Sequence, residues 1–243
     1  MAPDADDGFD AATLQYLFAK TLYALRESRK ALLAPYAVDA EAVLLARIAA
    51  GTVAPHPAYE HYLGALIIEQ TRNHLRAQVA EQLGGAVAAS ADAGGADSLH
   101  PLLKERIERE YADRLGAPVQ QAQDALVVSF DTGLMVELRY FSADEYSIGW
   151  AWGDAELRID TAPAHPSCAS APHHLHDDAA QLHADPLSVP GTPCWTNLKH
   201  LIDVLLVDPL LEHARSDTGA SPCAGAASTR QVPPPTSKVN HEN

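Results

Sequence analysis

The sequence has few cysteines and no long apolar run. Its three cysteines, Cys168, Cys194 and Cys223, lack the CxxC spacing of cysteine-built zinc fingers. Such a small, odd number also argues against a disulfide framework and favours a reducing compartment. The richest apolar stretch, LIDVLLVDPLL at 201–211, contains two aspartates and a proline, which argues against a membrane span. The first residues, MAPDADDGFD, are acidic and unlike a signal peptide, so the sequence predicts a cytoplasmic protein.

Basic residues are also scarce, and their distribution is uneven. The chain has 17 Lys and Arg against 32 Asp and Glu, for a formal charge of −15. Residues 124–213 hold fourteen acidic residues against Arg139, Arg158 and Lys199, which gives this region −11. Nucleic-acid-binding surfaces are normally basic. Any role of this region on RNA must therefore overcome electrostatic repulsion.

The patterning predicts an α+β fold. Residues 1–116 show helical spacing of apolar residues, and residues 117–123 form a linker. The next region, 124–213, begins with four short alternating segments, ALVVSF, LMVELRYF, EYSIGWAW and AELRID, separated by turn signals. They predict a four-stranded antiparallel meander, followed by a Pro/His-rich loop and a C-terminal amphipathic helix that covers the sheet. Residues 214–243 lack periodicity and predict a disordered tail.

Histidines are concentrated in the loop after the fourth strand. Five of the twelve histidines lie between residues 165 and 183, and histidine is both the commonest metal ligand and the side chain that titrates near neutrality. One hypothesis is a divalent metal site, with zinc as the expected ion. The candidate ligands for that site are His173, His174, His176 and Asp177.

Two alternatives do not need a metal. RNA cleavage by 2′-hydroxyl attack uses a general base and a general acid, roles that two histidines can fill, while Arg158, with Arg139 as a less certain neighbour, could hold the phosphate. In the second alternative, the histidines have a structural role and only hydrogen-bond the backbone of an irregular loop. Tyr146, Trp150 and Trp152 are interpreted as core residues.

The segment YSIGWAWGDAELRIDTAPAHPSCASAPHHLH, residues 146–176, resembles the signature of the TumE family of prokaryotic toxins. Arg158 and Asp160 match the family's arginine–x–aspartate step at the end of a hairpin. Two proline–histidine motifs follow in the family, and the matching residues here are Ala162, Pro163, His165, Pro166, Pro172, His173, His174 and His176. The chain departs from the family at Thr161, where asparagine is usual, and at Ala164, where a histidine is usual.

This resemblance covers about residues 124–208 and leaves residues 1–123 unexplained. It implies a toxin component of a toxin–antitoxin pair that acts on RNA or translation, with ribonuclease activity as one candidate activity and a small helix-turn-helix antitoxin as partner. The catalytic residues that it implies are His165, His173, His174, His176, Arg158 and Asp160. The alternative hypothesis is a non-catalytic metal-binding or protein-interaction module.

Overall fold

The computed structural model describes residues 11–82, 99–213 and Cys223. Residues 83–98, within the predicted helical region, and the predicted tail, apart from Cys223, lie outside these residues. The described helices are α1 (Ala11–Leu33), α2 (Glu41–Ala49), α3 (Pro55–Gln82), α4 (Leu99–Glu110) and α5 (Cys194–Leu205), with short 3₁₀ turns at Ala34–Tyr36 and Ala112–Arg114. The strands are β1 (Gln120–Gln121), β2 (Leu126–Ser129), β3 (Met135–Tyr140), β4 (Tyr146–Trp152), β5 (Ala155–Asp160), β6 (His174–His176) and β7 (Leu182–Ala184).

The prediction of an α+β fold with N-terminal helices is confirmed, but the prediction of four strands is wrong. The sheet among the described residues has seven antiparallel strands in the order β1-β2-β3-β4-β5-β6-β7. The four predicted segments are its central strands, β2 to β5. The three additional strands have only two or three residues each, too few for alternation of polarity to be visible in the sequence.

One face of the sheet packs against α4 and α5. Their apolar residues join the inward residues of the strands in the main core, which includes Leu103 and Ile107 of α4 and Leu198, Ile202 and Leu205 of α5. The predicted C-terminal helix is therefore present, and its apolar stripe covers the sheet as expected. Tyr146 and Trp150 are buried in the same core, while Trp152 packs at its margin.

The opposite face of the sheet is only partly covered. Helices α1, α2 and α3 form a second core among themselves, and α3 contacts β3 and β4. Ala162 and Ala164, from the loop after β5, pack into this helical core. Tyr59 of α3 also hydrogen-bonds the hydroxyl of Thr161. The loop after β5 is thus fixed against the N-terminal helices.

A disulfide joins Cys168 to Cys223, across 55 residues of sequence. The small, odd number of cysteines argued against disulfide bonding, and that expectation is wrong for this pair, because a disulfide depends on spatial and not sequence proximity. Cys194 is a free thiol. In the described parts of the chain, each helix is too short or too polar to cross a bilayer.

Candidate metal centre

Strand register gathers four polar side chains on one face of the sheet. In the antiparallel pairing of β5 with β6, Arg158 faces His176 and Asp160 faces His174. Because side chains alternate along a strand, all four point to the face that carries α3. The sequence patterns RxD and HxH therefore become one polar patch.

Helix α3 contributes a fifth side chain from a distant part of the sequence. His56 precedes Pro57 and has an extended backbone, with φ −113° and ψ 135°, because the residue before a proline avoids the helical region. Its imidazole reaches the sheet and meets His176 edge-on, with ring centroids 4.5 Å apart. We call His56, Asp160, His174 and His176 the ligand cluster.

The donor atoms of the ligand cluster converge. One donor atom from each of the four residues lies within 4.8 Å of all the others. Nε2 of His56 is 3.0 Å from Nε2 of His176 and 3.3 Å from Oδ2 of Asp160. The latter oxygen is 3.6 Å from Nε2 of His176. A tetrahedral ion with bonds of about 2.0 Å separates its ligand atoms by roughly 3.3 Å, so these spacings match a metal site.

Asp160 is the centre of the cluster and is fully buried, at 0% exposure. Its Oδ1 accepts the backbone N–H of Ala162 and lies 2.9 Å from Nε2 of His174, although this contact lacks hydrogen-bond geometry. Its Oδ2 has no hydrogen-bond partner among the described residues. A buried carboxylate oxygen without a donor is costly, and a cation would compensate it.

Two hydrogen bonds direct the ring nitrogens of the cluster. Nδ1 of His56 lies 2.9 Å from the carboxylate of Glu60, one turn later in α3, and Nδ1 of His174 lies 2.8 Å from the carbonyl oxygen of Pro172. Both partners are acceptors, so each Nδ1 carries the proton and each Nε2 presents a lone pair. Carboxylates and carbonyls commonly orient metal-binding histidines in this way.

Glu60 links the cluster to Arg158. Its Oε1 accepts hydrogen bonds from Nη1 of Arg158 at 2.8 Å and from the hydroxyl of Ser147 at 3.3 Å. Nε of Arg158 also lies 3.5 Å from Oδ2 of Asp160. The guanidinium therefore sits between the two acidic residues of the site.

The electrostatics favour an ionised Asp160 and a neutral His176. Burial alone would raise the pKa of Asp160, but its contact with His174 and the nearby imidazoles outweigh burial and hold that pKa well below its ordinary value. Burial lowers the pKa of His176 to about 3. Burial also lowers the pKa of His174, but the Asp160 carboxylate reverses this, and the net shift is upward.

Glu60 is likewise held ionised. Burial alone would raise its pKa, but the hydrogen bond from His56 and the positive charge of Arg158 lower it overall. The carboxylates of Glu60 and Asp160 thus offer two negative charges to this buried region, and Arg158 balances one of them.

The structure separates the predicted site residues. His174, His176, Asp160 and Arg158 lie together, whereas His173 points to the opposite face, where its Nδ1 lies 2.9 Å from the hydroxyl of Tyr146. Asp177 pairs with His183 at 2.7 Å. Neither belongs to the cluster, so the predicted ligand set of His173, His174, His176 and Asp177 is brought together only in part.

His165 lies beside the cluster without belonging to it. Its ring centroid is 4.9 Å from that of His174 and 5.9 Å from that of His176. Burial and the neighbouring His174 lower its pKa. Arg139, the second phosphate-binding candidate, instead pairs with Asp124 and Glu137.

Sequence reasoning missed His56 and Glu60. They lie about a hundred residues before the other members, in a segment that reads as an ordinary helix start, PHPAYE. The available signal was a histidine before proline with a glutamate four residues later, which is too common to identify a site. Only the packing of α3 on the sheet reveals their role.

The site opens into a cleft on the uncovered part of the same sheet face. The cleft has a volume of 1280 Å³ and is lined by His56, Arg158, His165 and His176, among others. Glu156, Asp178, Gly149 and Ala151 also line it. A small molecule in this cleft would reach the ligand cluster directly.

Comparison with known proteins gives one match. Residues 5–86 match a family model described as the Uncharacterized protein MJ0235 family. This region comprises about a third of the chain, covers α1 to α3 and includes His56 and Glu60. No curated protein matches the chain, and no solved structure does either.

These comparisons correct the proposed resemblance to the TumE family. The matching family is not a TumE toxin family, and the match lies in the helical region and not in residues 124–208. The resemblance is therefore wrong, and a toxin role with a helix-turn-helix antitoxin has no support. The strand register gives a different reason for the spacing of the motif: Asp160, His174 and His176 belong to one cluster, and Thr161 and Ala164 anchor the loop to the helices.

Proposed function

We propose that this protein binds a divalent first-row metal ion through His56, Asp160, His174 and His176. One observation carries the proposal: three imidazoles surround a fully buried carboxylate, Asp160, whose Oδ2 has no hydrogen-bond partner in the described structure. A cation shared by this oxygen and the converging imidazole nitrogens would supply the missing partner. The hydrogen bonds from Nδ1 of His56 to Glu60 and from Nδ1 of His174 to the carbonyl oxygen of Pro172 orient both rings so that Nε2 can bind the ion.

The donor set limits the choice of metal. Imidazole nitrogen with one carboxylate oxygen suits zinc, iron, nickel or copper better than calcium or magnesium, which prefer oxygen ligands. We take zinc as the reference ion. It binds histidine and aspartate at about 2.0 to 2.2 Å, which the small spacing of the cluster accommodates.

The cleft favours a role in chemistry over a purely structural role. A divalent ion at this position polarises an oxygen ligand and lowers the pKa of bound water. His56 and His176 line the cleft, so a ligand in the cleft would approach the ion as a fifth ligand, an expansion that zinc can accommodate. We propose metal-dependent chemistry on a small molecule that binds in this cleft.

Metal analysis tests the proposal. Purified protein dialysed against zinc should retain about one ion per chain by mass spectrometry and lose thermal stability when a chelator removes it, because an ion that binds only the folded state stabilises that state. The His176→Ala and Asp160→Asn variants should retain much less zinc. His74→Ala and His200→Ala alter exposed histidines and should behave as the wild type.

The same experiment separates this proposal from metal-free proton transfer on RNA. A site that transfers protons without a metal requires no ion, so the chelator should leave it unchanged. Wild-type protein without retained zinc, or zinc retention that survives His176→Ala and Asp160→Asn, would overturn the metal proposal.

A further inference from the structure

His165 presents an unused nitrogen to the candidate metal centre. It lies in the loop between β5 and β6, and its Nε2 is buried yet has no hydrogen-bond partner among the described residues. The ring packs edge-on against His174 and His176 and lines the cleft. A buried imidazole nitrogen without a partner is costly to retain, and a ligand in the cleft would supply the missing contact.

Arg158 offers a positive charge at the same place. Its Nη1 donates to Glu60, while its buried Nε has no hydrogen-bond partner in the described residues. Its side chain is 29% exposed and lines the cleft with His165. The guanidinium group is therefore fixed by one carboxylate and remains accessible from the cleft.

The local charge differs from that of the surrounding region. Residues 124–213 carry −11, but a divalent ion together with Arg158, Glu60 and Asp160 leaves the centre with one net positive charge. Charges at a few ångströms outweigh distant ones that solvent screens. With the ion bound, the centre would attract an anion at short range, although Glu137, Glu156, Asp177 and Asp178 also line the cleft.

We propose that His165 and Arg158 bind an oxygen of a small oxyanion, a carboxylate or a phosphate, while that oxygen coordinates the metal ion. This inference rests on the metal centre proposed above. The Nε2–H of a neutral His165 donates a hydrogen bond to the oxyanion, and the guanidinium of Arg158 adds a charge-assisted contact. His165 and Arg158 would thus make the site selective for small oxyanions.

Cobalt(II) replaces zinc for the test because its visible spectrum reports on its ligands. We expect the wild-type protein to bind cobalt and to show a saturable spectral change with acetate, with inorganic phosphate, or with both; the two titrations distinguish a carboxylate site from a phosphate site. His165→Phe and Arg158→Met should each weaken anion binding by about 10-fold or more. In His165→Phe, cobalt affinity should change by less than about 3-fold.

Conservative variants and a control complete the test. His165→Asn keeps an N–H donor and Arg158→Lys keeps the charge, so each should recover part of the anion affinity. Met135→Ala alters an exposed residue elsewhere in the cleft and should leave anion affinity unchanged.

Four results would overturn the inference. If cobalt does not bind, the metal centre and this inference both fail. If cobalt binds but neither anion changes the spectrum, or His165→Phe binds both anions as the wild type does, only the inference fails. A loss of cobalt affinity above about 10-fold in His165→Phe would instead identify His165 as a metal ligand.

Discussion

At the scale of single residues, the alternation of one short strand separates neighbouring histidines into different roles. His174 and His176 lie on the face that holds Asp160, while Leu175 enters the core and His173 reaches Tyr146. The sequence showed the concentration of histidines but not this separation, because the segment was interpreted as an irregular loop. If the segment HLH had been recognised as a strand, its alternation would have placed His174 and His176 on one face and Leu175 on the other.

Glu60 is predicted to increase metal affinity without touching the ion. It orients His56 through Nδ1, and loss of such a partner typically reduces metal affinity 10- to 100-fold. We expect Glu60→Gln to weaken zinc binding by about 10-fold or more in a competition titration with a chelating dye. Glu69→Gln, on the same helix but paired with Arg72, is the control; equal affinities for both variants would show that Glu60 does not support the site.

His100 is predicted to make stability dependent on pH. It is buried, accepts the backbone N–H of Tyr140 at Nε2, and burial lowers its pKa to about 4. The unfolded chain, with an ordinary pKa near 6.5, binds more protons between pH 6.5 and 4, so stability should fall as pH is lowered through this window. The contribution reaches about 1.4 kcal/mol per pH unit.

Urea unfolding at several pH values in chelator measures this effect. His100→Gln cannot titrate, so its free energy of unfolding should decline less steeply between pH 6.5 and 4 than that of the wild type. The other histidines titrate equally in both proteins and cancel in the comparison. Identical slopes would mean that His100 is not the group responsible.

At the scale of elements, the sequence predicted long, strongly patterned segments and missed short ones. Strands β2 to β5 and helix α5 follow from alternation and from helical spacing of apolar residues. Strands β6 and β7 have three residues each and exist because β5 provides an edge to pair with. That pairing is non-local, so no window of sequence contains it.

Leu175 is predicted to hold β6 in register. It is 0% exposed and lies between two candidate ligands, so its side chain fixes which residues face Asp160. Leu175→Ala should lower the free energy of unfolding by about 2–5 kcal/mol and weaken zinc binding. Leu102→Ala, at a site that is 48% exposed, should cost much less in the same denaturation experiment; similar losses would contradict this role.

At the scale of the whole molecule, the candidate centre joins distant parts of the chain. His56 comes from the helical region and the other three ligands from β5 and β6. The sequence divided the chain at residues 117–123 and placed all candidate chemistry after that boundary. Composition and periodicity describe segments one at a time, so they could not show that a helix and the sheet share one site.

The disulfide is a second long-range link, and it predicts that part of the C-terminal region contributes to stability. Cys223 is bonded to Cys168 and donates its backbone N–H to Leu182 of β7. Removing a cross-link over this span costs about 2–4 kcal/mol. Cys223→Ser, or truncation after Ser216, should therefore lower the melting temperature in non-reducing buffer.

A reducing agent provides the comparison. It should lower the melting temperature of the wild type towards that of Cys223→Ser and leave the variant unchanged. Cys194→Ser removes the free thiol and should keep the redox dependence of the wild type. If the truncated chain has the same melting temperature as the wild type both with and without the reducing agent, the disulfide does not stabilise the fold.

The most direct measurement for the central claim is anomalous diffraction at the zinc edge from crystals grown with one equivalent of zinc. The account predicts a single strong peak about 2.0 to 2.2 Å from Nε2 of His56, His174 and His176 and from a carboxylate oxygen of Asp160. The account would be contradicted if no peak appears at this position. It would also be contradicted if the ion is bound by other residues while the four residues of the ligand cluster contact one another and no ion.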